Sequence, residues 1–407
     1  MNLIDTAPGK TTTDSAQTPS DAPQLKRVQC LSDLSDGQVK AIRAIPSHET
    51  AKPTPIDERR EATIFTADER FQLEQTAVFR KRAVPVTLSA LVRDNNSVVP
   101  HDGYGVPMII TRDKNGQVHA FLNACMHKGS KVVEGCEARK AKLMICPYHA
   151  WSYATDGRLI GVPREESIIG LDKTKRGLRE LPSKEAGGII WVMLDPNAEP
   201  DFAGIEDQLI DDFEALDIPR MQVYDRKTFE LDANWKLVLE PFLEGYHVTR
   251  LHANTVGPMF PDVPNTNELL GLNVRQLQGK ANFTPEGLDR EGENVHKSVT
   301  FSYIVFPNTV VITSPYYISV MFIMPRAANR STVEYVMLTR QPADNDKAKE
   351  LYKKSYDMVL NVFGNEDFRA AQISQAGLAT GALDDVIYTG LEAAIPTYYR
   401  VLESHFA

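Results

Sequence analysis

Four residues in two short loops constrain this chain more than any other feature. Cys125 and His127 stand one residue apart, and after a gap of eighteen residues Cys146 and His149 stand two apart, giving C-x-H…C-x-x-H. A zinc knuckle ordinarily pairs like with like, two thiolates and then two imidazoles at wider spacing. Here each loop is mixed. That division suits a two-iron two-sulfur cluster in which one iron takes both Cys and the other both His, an arrangement with a higher reduction potential than an all-Cys cluster. Lys128-Gly129 and Ala150-Trp151 follow the ligands, so backbone can pass close to the cluster and an aromatic ring can cover it. The plainer alternative is a structural zinc site, or Cys and His in unrelated loops.

A chain of 407 residues has room for two cores. Its net charge of -9 argues against nucleic acid or an anionic membrane as partner, since either selects a basic face. Of the four cysteines, Cys30, Cys125, Cys136 and Cys146, two are taken by the cluster and no disulfide framework remains, so a reducing, cytoplasmic setting is expected. Cys136 reads as a bystander. Residues 187–194 form an apolar run too short to span a bilayer, and the N-terminus shows no secretory signal.

Residues 1–60 are rich in Ser, Thr, Pro and charge and read as a flexible arm. Residues 66–80 read as a helix capped by Thr66. From 61 to 195 short apolar runs broken by Asn115-Gly116 and Asp156-Gly157 point to a small all-β domain carrying the two ligand loops on hairpins. Beyond Pro196 and Pro200 a mixed domain, residues 196–407, holds strand-like runs between 300 and 340 and an amphipathic helix from Asn345 to about Gly377. Residues 254–300 are polar and read as a lid or channel loop.

Between Asn234 and His252 the spacing of Glu240, Glu244 and His247 places them on one face of a helix. His252 lies five residues after His247, so the two imidazoles converge only if the helix ends or bends there. Two His with a distant carboxylate make a mononuclear non-haem ferrous site with positions left open for dioxygen. An electron-storing cluster upstream needs an acceptor, which favours that reading over solvated histidines.

The order C-x-H…C-x-x-H, Asn234-Trp235-Lys236, then Glu244-Gly245-Tyr246-His247 and His252, resembles the large or alpha subunit of the Rieske non-haem iron oxygenases, the ring-hydroxylating oxygenases. Lys128 and Ala150 stand where that family commonly has Arg and Gly. The resemblance implies an α+β chain: an all-β Rieske iron-sulfur domain and a helix-grip catalytic domain with an antiparallel sheet and a long C-terminal helix. It assigns the [2Fe-2S] cluster to Cys125, His127, Cys146 and His149, and Fe(II) to His247, His252 and Asp367, with Glu366 as the fallback carboxylate. Glu244, where the family usually has Asp, would bridge cluster and iron across a subunit interface.

The implied activity is that of a terminal oxygenase. Electrons from NAD(P)H reach it through a reductase or ferredoxin, and dioxygen is used to hydroxylate or oxidatively demethylate a small aromatic substrate. A homotrimer is expected, with or without a small beta subunit. The rival is a Rieske electron-transfer protein with no oxygenase activity of its own. Phe242, Val256, Met259, Phe260, Tyr303 and Phe306 are candidate pocket residues.

Overall fold

The computed structural model describes residues 25–289 and 292–406. Two bodies of sheet share one core, and the mixed α+β architecture is the expected one. In the first body a five-stranded antiparallel sheet runs in the order Glu180–Leu181, Val118–Leu122, Met108–Arg112, Ser97–His101, Arg139–Lys140. Successive side chains leave a strand on opposite faces. Val99, Met108 and Ile110 therefore enter the core shared with the second body, while Val98, Ile109 and Phe121 pack under the ligand loops with Met144, Trp151 and Tyr153. Burial on both faces is why these strands read as unbroken apolar runs. A three-stranded sheet, Leu143–Ile145, Ser152–Ala154 and Leu159–Gly161, carries the second ligand loop between its first two strands.

The second body is a seven-stranded antiparallel sheet in the order Gln222–Leu231, Arg330–Thr339, Tyr317–Ala327, Thr309–Thr313, Val299–Val305, Asn273–Gly279, Thr266–Leu270. On one face lies the helix Asp346–Asn361, started by Asn345, whose side chain accepts from the Ala348 amide at 3.0 Å. Its buried stripe of Tyr352, Tyr356 and Val359 rests on Tyr224 and Tyr335 of the sheet. Each such side chain contributes on the order of 2 kcal/mol by leaving water. The helix widens into a π turn at Val362–Asp367 and continues as Phe368–Leu378. Among the described residues no helix is long and apolar enough to cross a membrane.

Three expectations need correction. Residues 25–60 are not a free arm: the helix Asp36–Arg43 buries Ala41 and Ile42 against Phe213 and the far face of the large sheet. Gln38 there donates to the Tyr303 hydroxyl at 2.8 Å, and that hydroxyl donates to Asp212 at 2.9 Å. Two apolar anchors and a buried hydrogen-bond chain suffice to order a segment of unpromising composition. Residues 1–24 lie outside the described part of the chain.

The polar stretch 254–300 is also not all loop, since Thr266–Leu270 and Asn273–Gly279 form a hairpin at the edge of the large sheet. Third, the helix Asp68–Glu74 begins after Ala67, with no side-chain cap from Thr66, and passes into a π turn at Gln75–Phe79.

Candidate metal centres and the cleft between them and the sheet

The two ligand loops are built alike. In the first, the Cys125 amide donates to Ser130 O at 2.8 Å and the Gly129 amide donates back to Cys125 O at 2.8 Å. In the second, the Cys146 amide donates to Trp151 O at 2.9 Å and the Ala150 amide to Cys146 O at 3.0 Å. Each loop closes through a left-handed residue, Gly129 at φ 77° and Ala150 at φ 56°. Ala150 thus holds a conformation that costs an L-residue about 1–2 kcal/mol.

Cys125 and Cys146 are buried, and the rings of His127 and His149 face each other at 4.6 Å on the exposed side. His127 stacks on Trp151 at 4.9 Å, and the Tyr153 hydroxyl lies 3.3 Å from Cys125 Sγ and accepts from the Met126 amide. Burial pushes the Cys125 thiol above its ordinary range, with the neighbouring Cys146 thiol adding to the effect. Two thiols inside and two imidazoles outside fit a cluster with a Cys-held inner iron and a His-held outer one. Tyr153, a sulfur-side hydroxyl, carries no sequence signal beyond its place in a strand.

The second centre depends on a helix that stops. Asn234 caps the turn Trp235–Leu239 by accepting from the Lys236 amide at 3.0 Å; Pro241 tightens the next turn, Glu240–Leu243; at Glu244 the backbone becomes extended (φ −150°, ψ 168°). A single helical turn, Val248–Leu251, then has His247 at its start and His252 at its end. The two rings meet edge to face at 5.0 Å. This break also separates Glu240 from Glu244 and His247, contrary to the shared face expected of an unbroken helix. Glu240 turns into the core and accepts from Tyr399 at 2.7 Å and Tyr388 at 3.0 Å, and burial raises its carboxyl to about 7.

Asp367, at the end of the π turn, completes the group. Its Oδ1 stands 3.2 Å from His252 Nε2 and 3.5 Å from His247 Nε2, and ligand atoms of the three residues all lie within 4.8 Å of one another. That oxygen is sealed from water and has no hydrogen-bond partner among the described residues. A buried carboxylate oxygen facing two imidazole nitrogens is a fit for a divalent metal, which would replace the missing partners.

The outer nitrogens are held as well: His247 Nδ1 by Glu244 Oε1 at 2.5 Å, and His252 Nδ1 by Glu366 Oε2 at 2.5 Å. Thr255 in turn donates to Glu366 at 2.8 Å. Carboxylates behind ligand imidazoles fix ring orientation and raise basicity. Glu366, the fallback ligand of the sequence reading, faces the back of His252 instead. Burial opposes charge on His252, yet Asp367 and Glu366 together raise it above its ordinary value.

A cleft of about 620 Å³ opens over this group. Phe242, Val256 and Phe260 line it as anticipated, joined by Phe363, Ile312, Asn265, Gln276 and Gln278. Met259 is half exposed outside the lining, and Tyr303 and Phe306 are core residues. The amide side chains went unanticipated because they sit on the hairpin read as loop. His405, near the C-terminal end of the sequence, stacks on Phe306 at 5.0 Å and is half-buried.

Comparison with known proteins bears on both centres. The family description Rieske [2Fe-2S] domain matches residues 82–181, and Ring hydroxylating alpha subunit (catalytic domain) matches residues 218–407, together more than two thirds of the chain. The anthranilate 1,2-dioxygenase large subunit of Acinetobacter baylyi is 33% identical over 47% of this chain and 42% of its own. The choline monooxygenase of Beta vulgaris is 26% identical over 70% and 64%, and the carnitine monooxygenase oxygenase subunit of Acinetobacter pittii 27% over 77% and 83%. The chain thus spans less than two thirds of the first two relatives.

Among solved structures, a quaternary ammonium Rieske monooxygenase superposes with a TM-score of 0.73 at 20% identity, covering 89% of this chain and 99% of that one. Naphthalene 1,2-dioxygenase from Rhodococcus sp. superposes at 0.69, again at 20%, covering 86% and 94%. At such identities the likeness is one of fold. With a cluster domain and a catalytic domain each matched in the same order, this chain belongs to the ring-hydroxylating alpha subunit family of the Rieske oxygenases.

Proposed function

We propose that this chain is the terminal oxygenase component of a multicomponent system, supplied with electrons by a reductase or ferredoxin and acting on a small molecule held in the cleft. The observation that carries the reading is the convergence of His247, His252 and Asp367, with its orphaned Oδ1, in the same chain as two Cys/His loops. Bound at these residues, a [2Fe-2S] cluster would store electrons and a ferrous ion would use them to activate dioxygen.

The remaining work falls to the protein. Glu244 and Glu366 hold the two imidazoles with Nε2 turned toward Asp367. Phe242, Phe260 and Phe363 exclude water from the cleft and offer flat apolar surface to a ring or alkyl body. Relatives at 33%, 26% and 27% identity are named for anthranilate, choline and carnitine, so we take the class of substrate to be set by the lining of the cleft.

We assign cluster ligation to Cys125, His127, Cys146 and His149, iron ligation to His247, His252 and Asp367, and the role of bridge between subunits to Glu244. A ring of three copies is the assembly we propose. His127 and His149 are exposed within an apolar surround of Ile145, Tyr148 and Ile160, all more than 40% exposed, which is the kind of surface a second copy covers.

Metal analysis of anaerobically reconstituted protein tests the proposal. Three iron and two acid-labile sulfide per chain, with substrate-dependent dioxygen uptake in the presence of a reductase, are expected. Two iron and no uptake would leave an electron carrier in its place.

A further inference from the structure

Away from Glu244, His247, His252 and Asp367, the polar lining of the cleft belongs to the sheet and its edge. It comes from two neighbouring strands, with Gln276 paired to Ser302 and Gln278 to Thr300, and from Asn265 just before the edge hairpin. Three of its atoms, Asn265 Oδ1, Gln276 Nε2 and Gln278 Nε2, are closed to water and have no hydrogen-bond partner among the described residues. Gln276 is only 2% exposed.

Reorienting amides does not resolve this. Asn265 Nδ2 donates to Gln276 Oε1 at 3.3 Å, and turning both groups over preserves that bond while still leaving one donor and one acceptor unmatched. Each buried group left without a partner weakens the fold. A chain that keeps several of them together on the wall of a cleft has a use for them there.

Their position is close to the metal-binding loop. A Cβ placed on Gly245 would lie 3.0 Å from Asn265 Oδ1 and 3.3 Å from Gln278 Nε2, so the glycine lets the amides crowd the segment between Glu244 and His247. Among the described residues lining the cleft there is no Lys or Arg, and the recognition on offer is therefore hydrogen bonding without a formal positive charge.

We propose that Gln276 and Gln278, backed by Asn265, form the subsite that receives a carbonyl-type oxygen of the substrate. That oxygen accepts from the Gln276 and Gln278 amides while the apolar body lies against Phe242, Phe260 and Phe363. The inference rests on the oxygenase reading only in taking this cleft as the substrate's. It narrows the substrate class to small, largely apolar molecules bearing a carbonyl group, and it makes the two glutamines specificity determinants.

The test uses full-length, metal-reconstituted protein and size-matched probes: benzamide and acetophenone against toluene and ethylbenzene, with binding followed by ligand-observed NMR. Wild-type protein is expected to bind the carbonyl probes about tenfold more tightly than the alkyl ones. Gln278→Met and Gln276→Met, which keep side-chain length and remove the donor, should each erase most of that preference and leave alkyl binding unchanged. The thermal midpoint of Gln278→Met should hold or rise, because Gln278 has no protein hydrogen bond to lose, while Gln276→Met gives up the bond from Asn265 and its midpoint should fall slightly.

Equal binding of the two probe sets, no binding of either, a preference that survives both substitutions, or variants that fail to fold would each overturn the subsite. A carbonyl preference that disappears in the variants of a protein showing no dioxygen uptake would remove the oxygenase reading and leave the subsite standing.

Discussion

Glu366 and Asp367, adjacent in sequence, grip the same imidazole from opposite ends: Glu366 Oε2 is 2.5 Å from His252 Nδ1 and Asp367 Oδ1 is 3.2 Å from its Nε2. An ordinary helical turn separates neighbouring side chains by about 100°. Both lie in the π turn Val362–Asp367, a local irregularity associated with functional sites. The pair divides one job, with Asp367 turned toward the two Nε2 atoms and Glu366 holding the ring of His252 from behind.

Substitution separates the two roles. Asp367→Ala is expected to abolish mononuclear iron and turnover while sparing the visible spectrum of the cluster. Glu366→Gln should keep the iron site but weaken it by about 10–100-fold, as loss of a partner behind a ligand imidazole does. Iron content after dialysis against graded chelator checks both, and equal losses in the two variants would refute the division.

Glu244 holds His247 twice, through Nδ1 at 2.5 Å and through the backbone amide at 3.1 Å. Glu244→Gln keeps one of the two acceptor oxygens and removes the charge. Cluster and iron should therefore remain at full occupancy while single-turnover electron transfer slows at least tenfold. An unchanged single-turnover rate would end the bridging assignment.

Ala150 provides a test of loop strain. At φ 56° it carries a Cβ penalty that Gly129 avoids in the matching position. Ala150→Gly should raise the stability of the second ligand loop by about 1 kcal/mol, and the bulkier, β-branched Ala150→Val should lower it by more. The midpoint for thermal loss of visible cluster absorbance reads this out. A fall in that midpoint for the glycine variant would show that the strain is absent.

Stability should depend on Glu240 with a definite sign. Its carboxyl is raised from 4.5 to about 7 in the folded chain, so its contribution is fully present below pH 4.5 and is lost as pH rises through 7. Over that window the loss is on the order of 3 kcal/mol. Glu240→Gln keeps a partner for the tyrosine hydroxyls and should gain on wild type from pH 5 to pH 8 in thermal melts. His101 and His296, lowered by burial to about 4 and about 3, oppose this by losing stability as pH falls below 6.5. A wild-type-minus-variant difference that stays flat with pH would dismiss Glu240 as the source.

Much of this was legible in the sequence because metals demand fixed spacings. C-x-H…C-x-x-H named two loops, and the five-residue interval from His247 to His252 announced a broken helix before Pro241 and the extended Glu244 were seen to break it. The hairpin carrying Gln276 and Gln278 was not legible. A strand whose polar residues face an enclosed cleft alternates like one facing solvent, and Thr, Asn and Glu on one strand with Asn, Arg and Gln on the other erased the apolar signal. The segment 25–60 was missed for a related reason: a few apolar residues do not announce which distant surface they will meet. Glu366 and Asp367 stood side by side with nothing in the sequence to order them, because their difference arises from the turn and not from their chemistry.

The N-terminal segment has one more implication. Helix Asp36–Arg43 is anchored on the far face of the catalytic sheet, and the strand Glu58–Glu61 pairs with Asp385–Tyr388 near the other terminus. On the other side of the cluster-bearing body, the helix Asp207–Ala215 buries Leu209 and Phe213 in the same core, so that body is an insertion moored to one frame at both of its covalent entrances. Tied to that frame on both sides, it has no single pivot about which to swing.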